Sequence, residues 1–285
     1  MQVIKTAALL DRALDESRNA GRVGFVPTMG ALHDGHLQLV AASKAACATT
    51  VVSIFVNPTQ FNQSADLETY PRTPGRDVRL LEAAGCDVVF LPTVEAVYPP
   101  GLDTILGLDF GKLETVMEGA QRPGHFAGVA QVVNRLLDLV RPDALFMGQK
   151  DYQQVAIVRE MLRQTKRSVE LIAHPIVREA DGLAMSSRNR RLSPAMRAKA
   201  PTIYASLQGA AEALGKSSVA ELIETATARM QAAGLRPEYL SVAHPTTLQP
   251  VGVFDPAEGA VLCAAAWAGD VRLIDNILVE ARPPT

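Results

Sequence analysis

Two histidines, His33 and His36, stand three residues apart in the run PTMGALHDGH at 27–36, just after Gly30 and a short apolar stretch. That spacing puts both imidazoles on one face of the opening turns of a helix. Gly30 can adopt a backbone conformation closed to most residues, and Gly35 removes a side chain that would hold a ligand at a distance. The N–H groups at a helix N-terminus lack intrahelical partners, so imidazoles placed there suit an anion, above all a phosphate. Two other uses compete: packing or capping of the helix end, and zinc ligation. The local sequence offers no third zinc ligand, and Asp34 faces away from the shared side.

Further chemistry sits in four later segments. Lys150 and Asp151 follow an apolar run; they read either as a solvated first turn or as a point charge for phosphate oxygens. Met185, Ser186, Ser187 and Arg188 form either a surface loop or a clamp in which hydroxyls orient phosphate oxygens and the guanidinium spreads charge. Arg122 and His125 lie in an RPGH turn that is also suited to covering a nucleotide. Gln60 and Gln154 are either solvated amides or uncharged donor–acceptor pairs for a hydroxy acid.

The elements that must position these residues alternate regularly. Residues 23–26 read as a buried strand whose ladder Pro27 ends, followed by a helix that includes Leu32, Leu37, Leu39 and Val40. Residues 49–56 form a β-branched, apolar central strand, and 57–61 stop it with polar side chains at its carboxyl end. Residues 66–74 read as irregular, 75–85 as helical and 87–91 as a strand; 99–128 make a long connection with short strands or a brief helix. Apolar positions predict a helix over 129–140, a strand over 143–147, a helix from 149 and a strand over 169–173. This grammar specifies an α/β fold, a doubly wound parallel sheet over residues 1–176. Beyond residue 177 it changes to a smaller α+β domain over 177–285, with a turn at Asp181-Gly182, helical segments over 194–214 and 219–233, and strands near 240–243 and 260–267.

Composition sets outer limits. The 285 residues are 48% hydrophobic, ample for a buried core, and the net charge of −2 gives no general attraction to nucleic acid or anionic membrane. Cys47, Cys86 and Cys263 are odd in number and lack a CxxC pair, which points to a reducing cytoplasm. The N-terminal stretch reads as a strand and amphipathic helix and not as a signal peptide, and no run approaches a membrane span.

Seven ordered motifs, PTMGALHDGH at 27–36, SIFVNPTQF at 53–61, YPRT at 70–73, EGAQRPGHF at 118–126, GQKDYQQ at 148–154, DGLAMSSRN at 181–189 and AAWAGDVRLIDN at 265–276, resemble the pantoate-beta-alanine ligase (pantothenate synthetase) family of the HIGH-type nucleotidylyltransferase superfamily. The resemblance implies a Rossmann-like domain over 1–176 that binds ATP and pantoate, a C-terminal lid over 177–285, and a homodimer. It implies ATP-dependent condensation of (R)-pantoate with β-alanine through a pantoyl adenylate, giving pantothenate, AMP and pyrophosphate. Another adenylyltransferase of the superfamily is the alternative. By resemblance ATP is met by Met29, Gly30, Ala31, Leu32, His33, Asp34, Gly35, His36, Gly148, Gln149, Lys150, Asp151, Val177, Met185, Ser186, Ser187 and Arg188. Pantoate falls to Gln60 and Gln154, with Asn57, Arg122 and His125 as neighbours, and β-alanine also to Gln60. His36, with His33, Lys150 and Arg188, carries the catalytic expectation, His36 as proton donor. Gln149 departs from the family, where an acidic residue is common. A magnesium ion (Mg2+) is implied with ATP, but the acidic positions after YPRT are incomplete, Arg76 standing beside Asp77, and no ligand set is assigned.

Overall fold

A computed structural model describes residues 1–61 and 64–282; residues 283–285, the end of the expected C-terminal domain, lie outside the described residues. The chain forms two compact units: Met1–Phe110, Arg122–Gln149 and Gln154–Pro175 make the first, and Gly111–Gln121, Lys150–Gln153 and Ile176–Thr285 the second. In chain order the first contains β1 (Gln2–Ile4), α1 (Ala7–Ala20), β2 (Val23–Thr28), α2 (Asp34–Ala46), β3 (Thr49–Ile54), α3 (Ser64–Thr69), α4 (Pro74–Ala83), β4 (Val88–Phe90) and α5 (Val94–Val97). Next come α6 (Met117–Gln121) of the second unit, then α7 (His125–Val140), β5 (Ala144–Gly148), α8 (Tyr152–Gln164), whose first two residues group with the second unit, and β6 (Glu170–His174). The rest of the second unit is α9 (Pro194–Lys199), α10 (Thr202–Ala213), α11 (Val219–Ala232), β7 (Arg236–Ala243), β8 (Ala260–Ala268) and β9 (Val271–Val279).

The first unit is a six-stranded parallel sheet of order β1-β4-β3-β2-β5-β6 with helices between its strands, the doubly wound, Rossmann-like architecture. All six residues of β3 are buried, as a strand covered on both faces requires. From β2 the chain moves one way to β3 and later the other way to β5, so a switch point lies between β2 and β5, where open α/β sheets bind ligands. Pro27 does not end β2: its register with β3 continues through Pro27↔Ser53 and Thr28↔Ile54. The pairing with β5 is what stops, at Phe25, so the carboxyl halves of β2 and β5 are not laddered to each other.

Three other expectations are corrected. Residues 64–69 form α3 and are not wholly irregular, whereas the 99–128 connection holds a brief helix, α6, one of the two forms expected of it. Helix α7 begins at His125, a turn before its apolar stripe, with Gly124 in the left-handed region as its N-cap. The segment 194–214 is two helices, because Pro201 cannot donate the N–H that a continuous helix needs.

The second unit is an antiparallel sheet of order β7-β8-β9, with α10 and α11 packed on its apolar face through Ile203, Leu207, Leu222, Met230, Leu262 and Leu273. Two short segments from before residue 176 belong to it for a concrete reason. The Gln153 amide donates to Leu113 O (2.7 Å) and Val116 O (2.9 Å) and accepts from Glu118 N (2.9 Å), and the Tyr152 hydroxyl donates to Pro245 O. Arg272 on β9 pairs with Glu118 of α6 (2.7 Å) and with Glu238 on β7. Among the described residues no helix is long and apolar enough to cross a membrane.

Candidate functional site

The turn between β2 and α2 carries the His pair. Helix α2 starts at Asp34 with His33 as its N-cap in an extended conformation, so Leu32 precedes the helix instead of opening it. His33 and His36 share one face as their spacing requires, with ring centroids 4.0 Å apart. The His33 backbone N–H is directed at His36 Nδ1 at 3.4 Å, which makes that nitrogen an acceptor and puts the proton of a neutral ring on Nε2. Asp34 is exposed, as expected from its place off the shared face.

The turn is held in an uncommon conformation. Gly30 has φ +82° and Ala31 φ +51°, both left-handed, and a Cβ on Gly30 would come within 3.1 Å of Asp77 Oδ2. Asp77, fully buried in the first turn of α4, accepts from Ala31 N on Oδ2 and from Leu32 N on Oδ1, each at 2.9 Å, and from the Thr73 hydroxyl at 3.1 Å. Its neighbour Arg76 donates to Leu32 O at 3.2 Å. The N–H groups of Ala31 and Leu32 are therefore occupied by a carboxylate and that of Gly30 by the Thr28 hydroxyl oxygen, so an anion would be met at the start of α2 itself. Asp77 was legible only as an acidic residue after YPRT, and nothing in the local pattern shows what it grips.

A second cluster joins the carboxyl end of β3 to α7. Asn57 is buried; its amide nitrogen lies 3.2 Å from Gly128 O and 3.3 Å from Gln60 Oε1, and its oxygen accepts from the Tyr98 hydroxyl at 3.1 Å. Burial pushes the Tyr98 phenol up to about 12, against a hydrogen bond from Thr59 that lowers it. The buried Gln60 amide reaches Met29 Sδ at 3.0 Å, linking this cluster to the β2 turn. Gln60 O lies 2.9 Å from His125 Nδ1; a carbonyl only accepts, so Nδ1 carries the proton and Nε2 accepts from Arg122 at 3.1 Å. Gly128 makes this closeness possible, since a Cβ there would lie 2.5 Å from Thr59 O. The structure thus brings Met29, Asn57, Gln60, Arg122 and His125 together in the first unit. Gln154, in the same unit, is half-buried.

The second unit holds the remaining residues. Lys150 O accepts from Asn276 Nδ2 at 2.9 Å, and Asn276 follows Asp275, which makes a two-pronged ion pair with Arg178 at 2.7 and 3.0 Å. Burial raises the Asp275 carboxyl, while Arg178 and more weakly Lys150 oppose the rise. Arg178 also lies over the Tyr204 ring at 3.7 Å and donates to Gly182 O. This braces a tight hairpin in which Met185 N donates to Val177 O, so two sequence-expected ATP residues are neighbours. Ser186 Oγ caps the short turn Ser187–Arg191 by accepting from Arg188 N. Among the described residues no ion pair engages the half-buried Arg188 side chain. Nor do any three His, Cys, Asp or Glu side chains among them form a group able to hold a metal ion.

A family model described as pantoate-beta-alanine ligase matches residues 2–278. The chain is 43% identical over 288 residues to a pantothenate synthetase of Pseudomonas putida, with both chains covered in full. It is similar to the crystal structure of pantothenate synthetase from Thermus thermophilus, with a TM-score of 0.91 at 44% identity over 97% of this chain and 99% of that one. It is also similar to a pantoate-beta-alanine ligase from Francisella tularensis complexed with beta-gamma ATP and beta-alanine, with a TM-score of 0.82 at 32% identity and both chains fully covered.

Proposed function

Because the chain belongs to the pantoate-beta-alanine ligase family, we propose that it joins (R)-pantoate to β-alanine at the expense of ATP, releasing pantothenate, AMP and pyrophosphate. The match across residues 2–278 carries this reading. The chemistry needs no protein nucleophile. An ionised pantoate carboxylate attacks the α-phosphorus in line and expels pyrophosphate; the neutral amine of β-alanine then attacks the carbonyl of the pantoyl adenylate and expels AMP. What the protein must supply is alignment and donors for oxygens that gain charge.

We assign ATP to residues 29–36, to Gly148, Gln149, Lys150 and Asp151, and to Val177 and residues 185–188, with His36 Nε2–H as a donor to the phosphates and Lys150 and Arg188 as cations. Pantoate is assigned to Gln60 and Gln154, supported by the Asn57–Gln60–His125–Arg122 network, and β-alanine to Gln60. Magnesium would enter with the nucleotide and would supply charge neutralisation at its phosphates; among the described residues no three His, Cys, Asp or Glu side chains form a group able to hold it, and Asp77 is engaged with backbone donors. Residues 177–285 serve as the lid domain in this reading. Three free cysteines suit a cytoplasmic enzyme, and the working form is a homodimer. The test is AMP release with ATP, pantoate and β-alanine. Turnover that needs both acids supports the assignment, and ATP consumption that ignores pantoate overturns it. Release of a nucleotide-linked product instead of AMP identifies an adenylyltransferase.

A further inference from the structure

We propose that Asp77 is a positioning residue that sets the hydrogen-bonding state of His36. Its kinetic consequence rests on the ligase reading; its structural content does not. Asp77 and Arg76 are consecutive in the first turn of α4, where the helix dipole favours a carboxylate, and together they grip one turn from both sides: Asp77 takes the N–H groups of Ala31 and Leu32, and Arg76 the carbonyl of Leu32. Ala31 adopts φ +51°, a conformation that a residue with a side chain does not take without compensation, and the bonds that Ala31 N–H and Leu32 N–H donate to a buried carboxylate are that compensation. The next residue is His33, whose extended backbone aims its N–H at His36 Nδ1. The direction of that N–H is fixed by the turn, and the turn by Asp77. Holding Nδ1 as an acceptor leaves the Nε2–H form of His36, the form that donates to a ligand oxygen.

The test is Asp77→Asn, which keeps the shape but sets an amide N–H against one of the two backbone donors. Nitrogen NMR of the His36 ring in the ligand-free protein is expected to show the Nε2–H tautomer in the parent and a mixture of both tautomers in the variant. With substrates, kcat is expected to fall about 10- to 10²-fold while KM for β-alanine stays within about twofold. A variant that is folded and retains the parent tautomer overturns the proposal, whatever its rate. Should Asp77→Asn not fold, Thr73→Val removes only the hydroxyl donor to Oδ1, and a smaller tautomer shift in the same direction is required; an unchanged ring spectrum overturns the proposal. Because the ring is read without substrate, failure of the ligase assignment shows up separately, as absent turnover with an intact tautomer shift.

Discussion

Adding one methyl group at residue 128 tests whether the Asn57–Gln60–His125 cluster binds pantoate. A Cβ on Gly128 would lie 2.5 Å from Thr59 O and 2.8 Å from Gln60 Cα, where ordinary contact begins at 3.4 Å. The first turn of α7 and the 57–60 turn must therefore part by roughly 0.9 Å. Two bonds cross this contact, Asn57 Nδ2 to Gly128 O at 3.2 Å and His125 Nδ1 to Gln60 O at 2.9 Å, and neither survives such a shift as a normal hydrogen bond. Overpacking of this kind costs about 1–3 kcal/mol in stability. A displacement near 1 Å in a positioning element costs about 10²-fold in rate, or roughly 2.7 kcal/mol of transition-state stabilisation. The assay is initial-rate AMP release at saturating ATP and β-alanine with pantoate varied, alongside thermal unfolding. Gly128→Ala is expected to lower kcat/KM for pantoate about 10²-fold, with the ATP dependence far less affected. Gly252→Ala, at a position where a Cβ meets nothing within 4 Å, is the control and should leave both unchanged. A folded Gly128→Ala protein with kcat/KM for pantoate within about threefold of the parent refutes the link between this close approach and substrate binding.

His36→Ala is expected to slow single-turnover formation of the pantoyl adenylate by about 10²-fold or more; an unchanged rate constant removes His36 from the chemistry. Gln153→Leu strips partners from Leu113 O, Val116 O and Glu118 N and should cost about 3 kcal/mol in a denaturant titration. Gln153→Glu should be at least as damaging, because one carboxylate oxygen would face two carbonyls; a near-neutral Gln153→Glu contradicts this account. Burial pushes the Cys86 thiol from 9.0 up to about 11, opposed more weakly by a backbone hydrogen bond at Val88. A folded pKa raised above the unfolded one means that this stabilisation is intact below about pH 9 and is lost as pH climbs towards 11. Cys86→Ala should therefore flatten the alkaline fall in urea midpoint over that window, and parallel curves for parent and variant refute the assignment.

The parallel sheet was legible because its central strands β2, β3 and β5 are compact apolar runs, each followed by polar residues and a helical stripe, a pattern that local chemistry alone produces. The chain's seven motifs and the His33–His36 spacing were equally local. Where the reading slipped, a distant contact overrode the local signal. The last strand, β9, was not anticipated, since Arg272, Asp275 and Asn276 interrupt its apolar alternation. Tertiary structure gives those polar groups partners, Glu118 and Glu238 for Arg272 and Arg178 for Asp275, so the strand forms in spite of its pattern.

The candidate residues follow the same division. Their types and order along the chain come from the sequence: two imidazoles at a helix start, a lysine after a strand, and a serine pair beside an arginine. What orients them does not. Asp77 meets Leu32 across 45 residues, and Arg178 meets Asp275 across 97. A Cβ on Gly128 would fall 2.5 Å from Thr59 O only because α7 lies against the turn after β3. Side-chain identity is a local property that spacing reveals, whereas the partner that uses up a donor, sets a tautomer or forbids a methyl group is decided by segments that meet only once the chain has folded.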